Sequence, residues 1–257
     1  MGPIYFLVPY KLALFGIMFE PMCKMIIYII REAVLVSKGS NIVISLLHHF
    51  FTKYALGVTK TVLNADNCVG QNKNNTVLQY LMWRVANSLS SHIELAFMVA
   101  GHTKFGPDYG FGVFKRLYCH CEVNSIEKVC NMMDQSKLLI PEATGTELGD
   151  VLILCYDWQS KFSSLGKIVG IKQFHHFAFD SSNSGVCLVR EYATSPVTEM
   201  TVGRDDDELS PDLPAAIMPT GLSQARQEYL FTRIRQYVAE NFKDRLCPAP
   251  KTALWTF

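Results

Sequence analysis

A chain of 257 residues that is 49% apolar and 18% charged can bury a sizeable core in one large or two small domains, which excludes a disordered chain. A net charge of +1 excludes a global pull towards nucleic acid or membrane, so any such pull must come from local patches. Eight scattered cysteines, none in a Cys-x-x-Cys pair, suit reduced intracellular thiols rather than a disulfide framework.

In chain order, residues 4–8, 11–19 and 24–30 read as strands. Leu12 to Ile30 is apolar enough to suggest a membrane span or a signal peptide, but Glu20, Pro21 and Lys24 interrupt it. The uninterrupted half is much shorter than a bilayer needs. Its Tyr, Val, Ile and Phe content favours two buried strands turning at Glu20-Pro21. Val43, Leu46, Leu47, Phe50, Phe51 and Tyr54 recur with helical spacing, and Gly57 ends that helix.

Val62-Leu63-Asn64-Ala65 runs into Asp66, and a polar loop rich in amides follows. Asn74 or Asn75 then N-caps a helix with Leu78, Leu81, Met82, Val85 and Leu89 on one face. Asp66 thus stands at the carboxyl end of a strand, where open α/β sheets place their ligands. A strand over 93–100 leads to a second polar loop, His102 to Asp108. Helices follow over about 110–118 and 124–135. Cys119-His120-Cys121 with Cys130 matches no common zinc spacing, and idle thiols are the preferred reading.

Past Pro141 the texture changes to short strands at 151–154, 174–179, 186–192 and 198–202, with Asp180 to Gly185 as a turn. Asp205 to Glu208 with Pro211, Pro214 and Pro219 reads as an acidic linker, and Gln224 to Val238 as a final helix. The order predicts an α/β fold: a mixed sheet flanked by helices over 1–140, a small β-rich subdomain over 141–203, and a linker and helix over 204–257.

Ala65-Asp66-Asn67-Cys68-Val69-Gly70-Gln71-Asn72-Lys73-Asn74 and Gly101-His102-Thr103-Lys104-Phe105-Gly106-Pro107-Asp108 carry a resemblance. So do Gly2-Pro3-Ile4-Tyr5-Phe6, Tyr156-Asp157-Trp158, His175-His176-Phe177, Gly221-Leu222-Ser223 with Arg226-Gln227, and Cys247-Pro248-Ala249-Pro250. The chain resembles a large eukaryotic family of transposon-derived proteins whose domain is one of unknown function. The resemblance implies a ribonuclease-H-like fold of transposase and integrase type. It also implies metal-dependent phosphodiester chemistry on DNA, with Mg2+ or Mn2+ held by Asp66 and Asp108. Relatives carry a further acid on a strand upstream of the Gly-Pro-x-Tyr-Phe segment. Met1 precedes Gly2 directly here, so an inactive or incomplete enzyme is expected.

Convergent carboxylates suit such ions because magnesium prefers hard oxygen ligands. His102 would be a general base, a ligand or a core histidine. Lys73, Asn74, Lys104, Lys115 and Arg116 would take nucleic acid, and residues 60–120 carry a local excess of basic over acidic side chains. Asp66 has a second reading as an Asx-turn acid, and Asp108 as a helix cap. The alternative function is a non-catalytic nucleic-acid- or protein-binding remnant. DNA is the expected partner, no membrane is involved, and the setting is intracellular, with the nucleus as one option. A small-molecule hydrolase would want a Gly-x-Ser-x-Gly elbow, and the sequence has none.

Overall fold

The computed structural model describes residues 3–36, 38–98, 105–147, 149–203 and 209–250. In chain order the elements are β1 (Leu12–Phe19), β2 (Lys24–Arg31), α1 (Ser40–Lys53), β3 (Lys60–Ala65), α2 (Asn75–Ala86), β4 (His92–Phe97), α3 (Gly106–Cys119), α4 (Ile126–Asp134), β5 (Leu139–Ala143), β6 (Cys155–Tyr156), α5 (Trp158–Lys161), β7 (His176–Asp180), β8 (Val186–Arg190), β9 (Thr198–Thr201), β10 (Ala216–Ile217), α6 (Gln224–Tyr229) and α7 (Lys243–Leu246). Mixed sheets flanked by helices make the fold α/β. The chain forms two compact units, each discontinuous in sequence. One comprises residues 1–36, 104–153 and 218–257, and the other residues 37–103 and 154–217. The divisions expected at 140 and 203 follow the chain instead.

The first unit is built on a three-stranded sheet in the order β1-β2-β5. The hairpin is where the apolar run predicted it. A short 3-10 turn over Glu20–Met22 joins its strands, and Cys23 takes a left-handed backbone at φ 51°. Central β2 is buried from Met25 to Arg31, as a continuous apolar run requires. Its other neighbour is β5, parallel to it, where the sequence reading places no strand. Val129, Met132 and Met133 of α4 close one core over Met25, Ile27 and Ile29, with Phe111 and Phe114 of α3 beside them. Gly110 of α3 admits the Met25 side chain where a Cβ would stand.

The hairpin therefore does not share a sheet with β3, contrary to the single mixed sheet the element order suggests. Residues 4–8 also differ from expectation. Pro3–Phe6 is a 3-10 turn, and the Val8 amide donates to Tyr229 Oη at 2.9 Å rather than to a strand. Val151 makes only an isolated bridge to Gly145, because the Leu152 and Ile153 amides both turn to the Thr144 carbonyl. The helix expected over Gln224 to Val238 is α6, followed by a π stretch over Leu230–Ile234 and a 3-10 turn over Arg235–Tyr237. Thr232 Oγ1 donating to the Glu228 carbonyl at 2.7 Å is the kind of back-bond that perturbs a helical ladder.

The second unit holds a five-stranded sheet in the order β3-β4-β7-β8-β9. β3 and β4 are parallel, joined through α2, and the remaining pairs are antiparallel. One face carries Ile93, Leu95, Phe97, Phe177, Phe179, Cys187 and Val189, which form one core with Val77, Leu78, Leu81, Met82 and Val85 of α2. Trp83 and Trp158 join that core with ring centroids 5.4 Å apart. Trp83 Nε1 donates to the Ser210 carbonyl, so this residue packs rather than offering a stacking surface. The other sheet face carries the partly exposed His92, Glu94, His176 and Asp180. The acidic run Asp205 to Glu208 lies outside the described residues. Among the described residues, no helix is long and apolar enough to cross a membrane.

Candidate functional site

The loop after β3 sits at the carboxyl end of the parallel β3–β4 pair, the end at which ligands collect in α/β sheets. Its backbone winds around one acceptor: the amides of Gln71, Asn72 and Lys73 all donate to the Cys68 carbonyl. Almost every polar side chain of the motif then fixes the loop. Asn67 Nδ2 donates to the Met98 carbonyl at 2.6 Å, tying the loop to the end of β4. Asn74 accepts from the Val77 amide at 3.1 Å and so caps α2, as the sequence predicted. Asn75 Oδ1 accepts from the Ile168 amide.

Asp66 is exposed. Its Oδ1 accepts from Asn72 Nδ2 at 2.6 Å and from the Cys68 amide at 3.3 Å. The Asx-turn geometry weighed from the sequence is therefore present, and it leaves Oδ2 outside these bonds. Lys73 stands elsewhere than a phosphate ligand would. Its side chain is buried, Nζ donates to the Lys172 carbonyl at 3.1 Å, and the ammonium lies 5.3 Å from the Phe97 ring centre. Burial also lowers its pKa from the ordinary lysine value.

In the first unit, Asp108 occupies the third position of α3 and Oδ2 accepts from the Phe105 amide at 3.3 Å, one half of a capping box. Lys115 and Arg116 are exposed on the same helix. His102 and Lys104 lie outside the described residues. Among the described residues, no group of three or more His, Cys, Asp or Glu is placed to hold a metal ion.

The other motifs do structural work. Asp157 caps α5, receiving the Ser160 amide and hydroxyl and the Asn41 side chain, and the Ser160 bonds hold its carboxyl below the usual range. Trp158 Nε1 donates to Ser45 Oγ inside the core. His175 stacks on Tyr192, with centroids 5.6 Å apart. Ser223 caps α6, and Arg226 grips Glu32 through two nitrogens while bonding the carbonyls of Val8 and Pro9.

Sequence reasoning missed one titratable cluster. On the open face of the five-stranded sheet, His92 Nδ1 lies 2.9 Å from Asp180 Oδ2 and Nε2 lies 3.0 Å from Glu94 Oε1. Bonding to Glu94 and Asp180 raises the His92 pKa against partial burial. Asp180 is held down at about 2, chiefly by the Ser182 amide and hydroxyl and then by His92. The available signal was the two-residue spacing of His92 and Glu94, which puts both on one strand face.

No curated protein and no solved structure matches the chain. A family model described as "Domain of unknown function (DUF7869)" matches residues 9–196, about three quarters of the sequence, spanning β1 to β8 and the Asp66 loop. The chain therefore belongs to the DUF7869 family.

Proposed function

We propose that this chain is a transposon-derived, ribonuclease-H-like domain that handles DNA, with Asp66 as the acid around which its site is organised. The observation that carries the reading is the construction of the Asp66 loop. Asn67, Asn72, Asn74 and Asn75 are spent on holding it, and the exposed carboxylate, bonded by Asn72 through Oδ1, keeps Oδ2 outside these bonds at the carboxyl end of a parallel strand pair. Such an oxygen fits one largely hydrated magnesium or manganese ion, since magnesium keeps several waters and takes few carboxylates. When bound, that ion would screen a backbone phosphate. Asp108 has one oxygen engaged and could serve as a second, separate ligand. Cleavage by a rigid pair of ions wants more converging ligands than the described residues supply, so DNA is bound and not cut. Lys115 and Arg116 would take phosphates.

The test is a labelled duplex offered to the full chain with manganese. Retention that weakens with salt, no nicking, and loss of the manganese-dependent part of retention in Asp66→Asn are expected. Nicking that survives Asp66→Asn would overturn the assignment. A protein-binding remnant is the second reading, favoured by the use of both motif acids in local turns and caps. It would gain if wild type and Lys115→Ala/Arg116→Ala ignored DNA alike at low salt.

A further inference from the structure

The first unit contains a cavity of about 250 Å3 that none of the motifs touches. It lies between β1, the outer face of α3 and the start of α4, and Leu12, Leu14, Phe114, Tyr118 and Val129 give it apolar and aromatic walls. Three ionised groups, Arg31, Glu147 and Arg245, break that lining, and their circumstances differ. Glu147 already has a cation. Its Oε1 accepts from the Ile126 amide at the first turn of α4 at 2.6 Å, and its Oε2 is paired with Arg245.

Arg31 is not satisfied in the same way. It is 6% exposed, donates from Nη1 to the Thr146 carbonyl at 2.7 Å, and lies 5.2 Å from the centre of the Tyr10 ring. No carboxylate is paired with it among the described residues. Its sequence neighbour Glu32 is taken by Arg226. A guanidinium has five donors in a fork shaped for a carboxylate, and a buried charge without a counter-charge is the exception in folded proteins.

We propose that this cavity binds a small organic monocarboxylate with a single-ring or branched aliphatic body, its carboxylate on Arg31 and its body against Phe114 and Val129. The size agrees: a dry cavity of about 150 Å3 accepts benzene, so this one holds a ring with a short acid arm. Inorganic phosphate is disfavoured, because the apolar and aromatic wall gives its remaining oxygens nothing to bond. The assignment concerns a different unit from the Asp66 loop and stands or falls apart from it.

The test is calorimetry on the full chain with 3-phenylpropionate and its neutral amide. The acid is expected to bind, with the amide at least about tenfold weaker. Arg31→Gln should remove that preference. Val123→Trp, in the loop before α4, should block the acid by filling the cavity. Should Arg31→Gln fail to fold, the acid-against-amide comparison on the wild type still decides. Equal binding of acid and amide, binding of neither, or binding of the acid undiminished in Val123→Trp would overturn the proposal.

Discussion

Arg84 in α2 and Arg31 in β2 are buried to nearly the same degree, at 5% and 6% exposure, yet they are solved differently. Arg84 closes its fork locally. Its Nε donates to Ser90 Oγ, Nη1 to Tyr80 Oη and Nη2 to the Leu89 carbonyl, and the guanidinium stands 4.0 Å over the Phe51 ring. Arg31 has one carbonyl, contributed from far along the chain, and one ring. The difference teaches what a buried cation is for. Saturated, it knits the end of a helix into a core; partly saturated beside a cavity, it is a receptor waiting for an acceptor. The network around Arg84 also reaches His48: Tyr80 Oη accepts from Arg84 and lies 3.2 Å from His48 Nδ1.

The sharpest way to break the comparison is Arg84→Met. It leaves the buried Tyr80 and Ser90 hydroxyls, and the part-buried Leu89 carbonyl, without their donor. The expected loss is about 2–4 kcal/mol, read as a lower urea midpoint with an unchanged slope. A loss below about 1 kcal/mol would show that the three long bonds contribute little and that saturation is not what distinguishes this arginine.

Lys73 is a third buried cation and has the same kinds of partner as Arg31, one carbonyl and one ring, with a pKa lowered by burial. Lys73→Met keeps the stem and loses the Lys172 bond, so about 1 kcal/mol of destabilisation is expected, with DNA retention unchanged. Lys115→Ala/Arg116→Ala should do the reverse, preserving stability and flattening the salt dependence of retention by about one unit per lost phosphate contact. Retention falling in Lys73→Met would return that side chain to the nucleic-acid surface.

How far these differences could be read from the sequence varies from place to place. The helical period of Val43 to Tyr54, the cap at Asn74 and the position of Asp66 at the end of a strand are local facts, written in spacing and turn chemistry, and the fold keeps them. The hairpin of Leu12 to Arg31 was legible for the same reason. Its pairing with β5 was not, because parallel neighbours separated by over a hundred residues leave no local pattern. Lys73 looked like a phosphate ligand because it ends a polar loop at a helix start. Its direction is set by a carbonyl at Lys172, of which the loop sequence carries no trace. Arg31 reads as one more residue of a strand; only the fold gives it a cavity.

Two histidines sharpen the comparison through pH, with opposite signs. His48 is pushed down to about 4, by burial first and then by Arg84 and His49. The unfolded chain therefore takes up that proton more readily, and stability falls as pH drops from about 6.5 towards 4. In Arg84→Met this acid loss should shrink but persist, because burial remains. His92 is raised by Glu94 and Asp180, so its contribution is full below about 6.5 and fades as pH rises through its folded value. It is partly open to solvent, so under about 1 kcal/mol is expected, visible as a melting temperature of His92→Gln that converges on wild type above pH 8. A wild-type curve flat between pH 4 and 8, unchanged by either substitution, would remove both histidines from the account.

The smallest expected effect is also the most discriminating. Arg31→Met removes a buried charge with no carboxylate paired to it among the described residues, together with one hydrogen bond to Thr146 and a contact with Tyr10. The released desolvation cost and the added apolar surface against Leu12 and Leu14 oppose the lost bond. The net change should stay within about 1 kcal/mol of zero and could carry a stabilising sign, as when buried ionic groups give way to apolar ones of similar size. Adding 3-phenylpropionate separates the cases. It should raise the melting temperature of the wild type with the logarithm of its concentration above Kd and leave Arg31→Met where it was. A loss in Arg31→Met as large as that in Arg84→Met would place Arg31 among the saturated core cations, and the cavity beside it would then be a packing gap rather than a receptor.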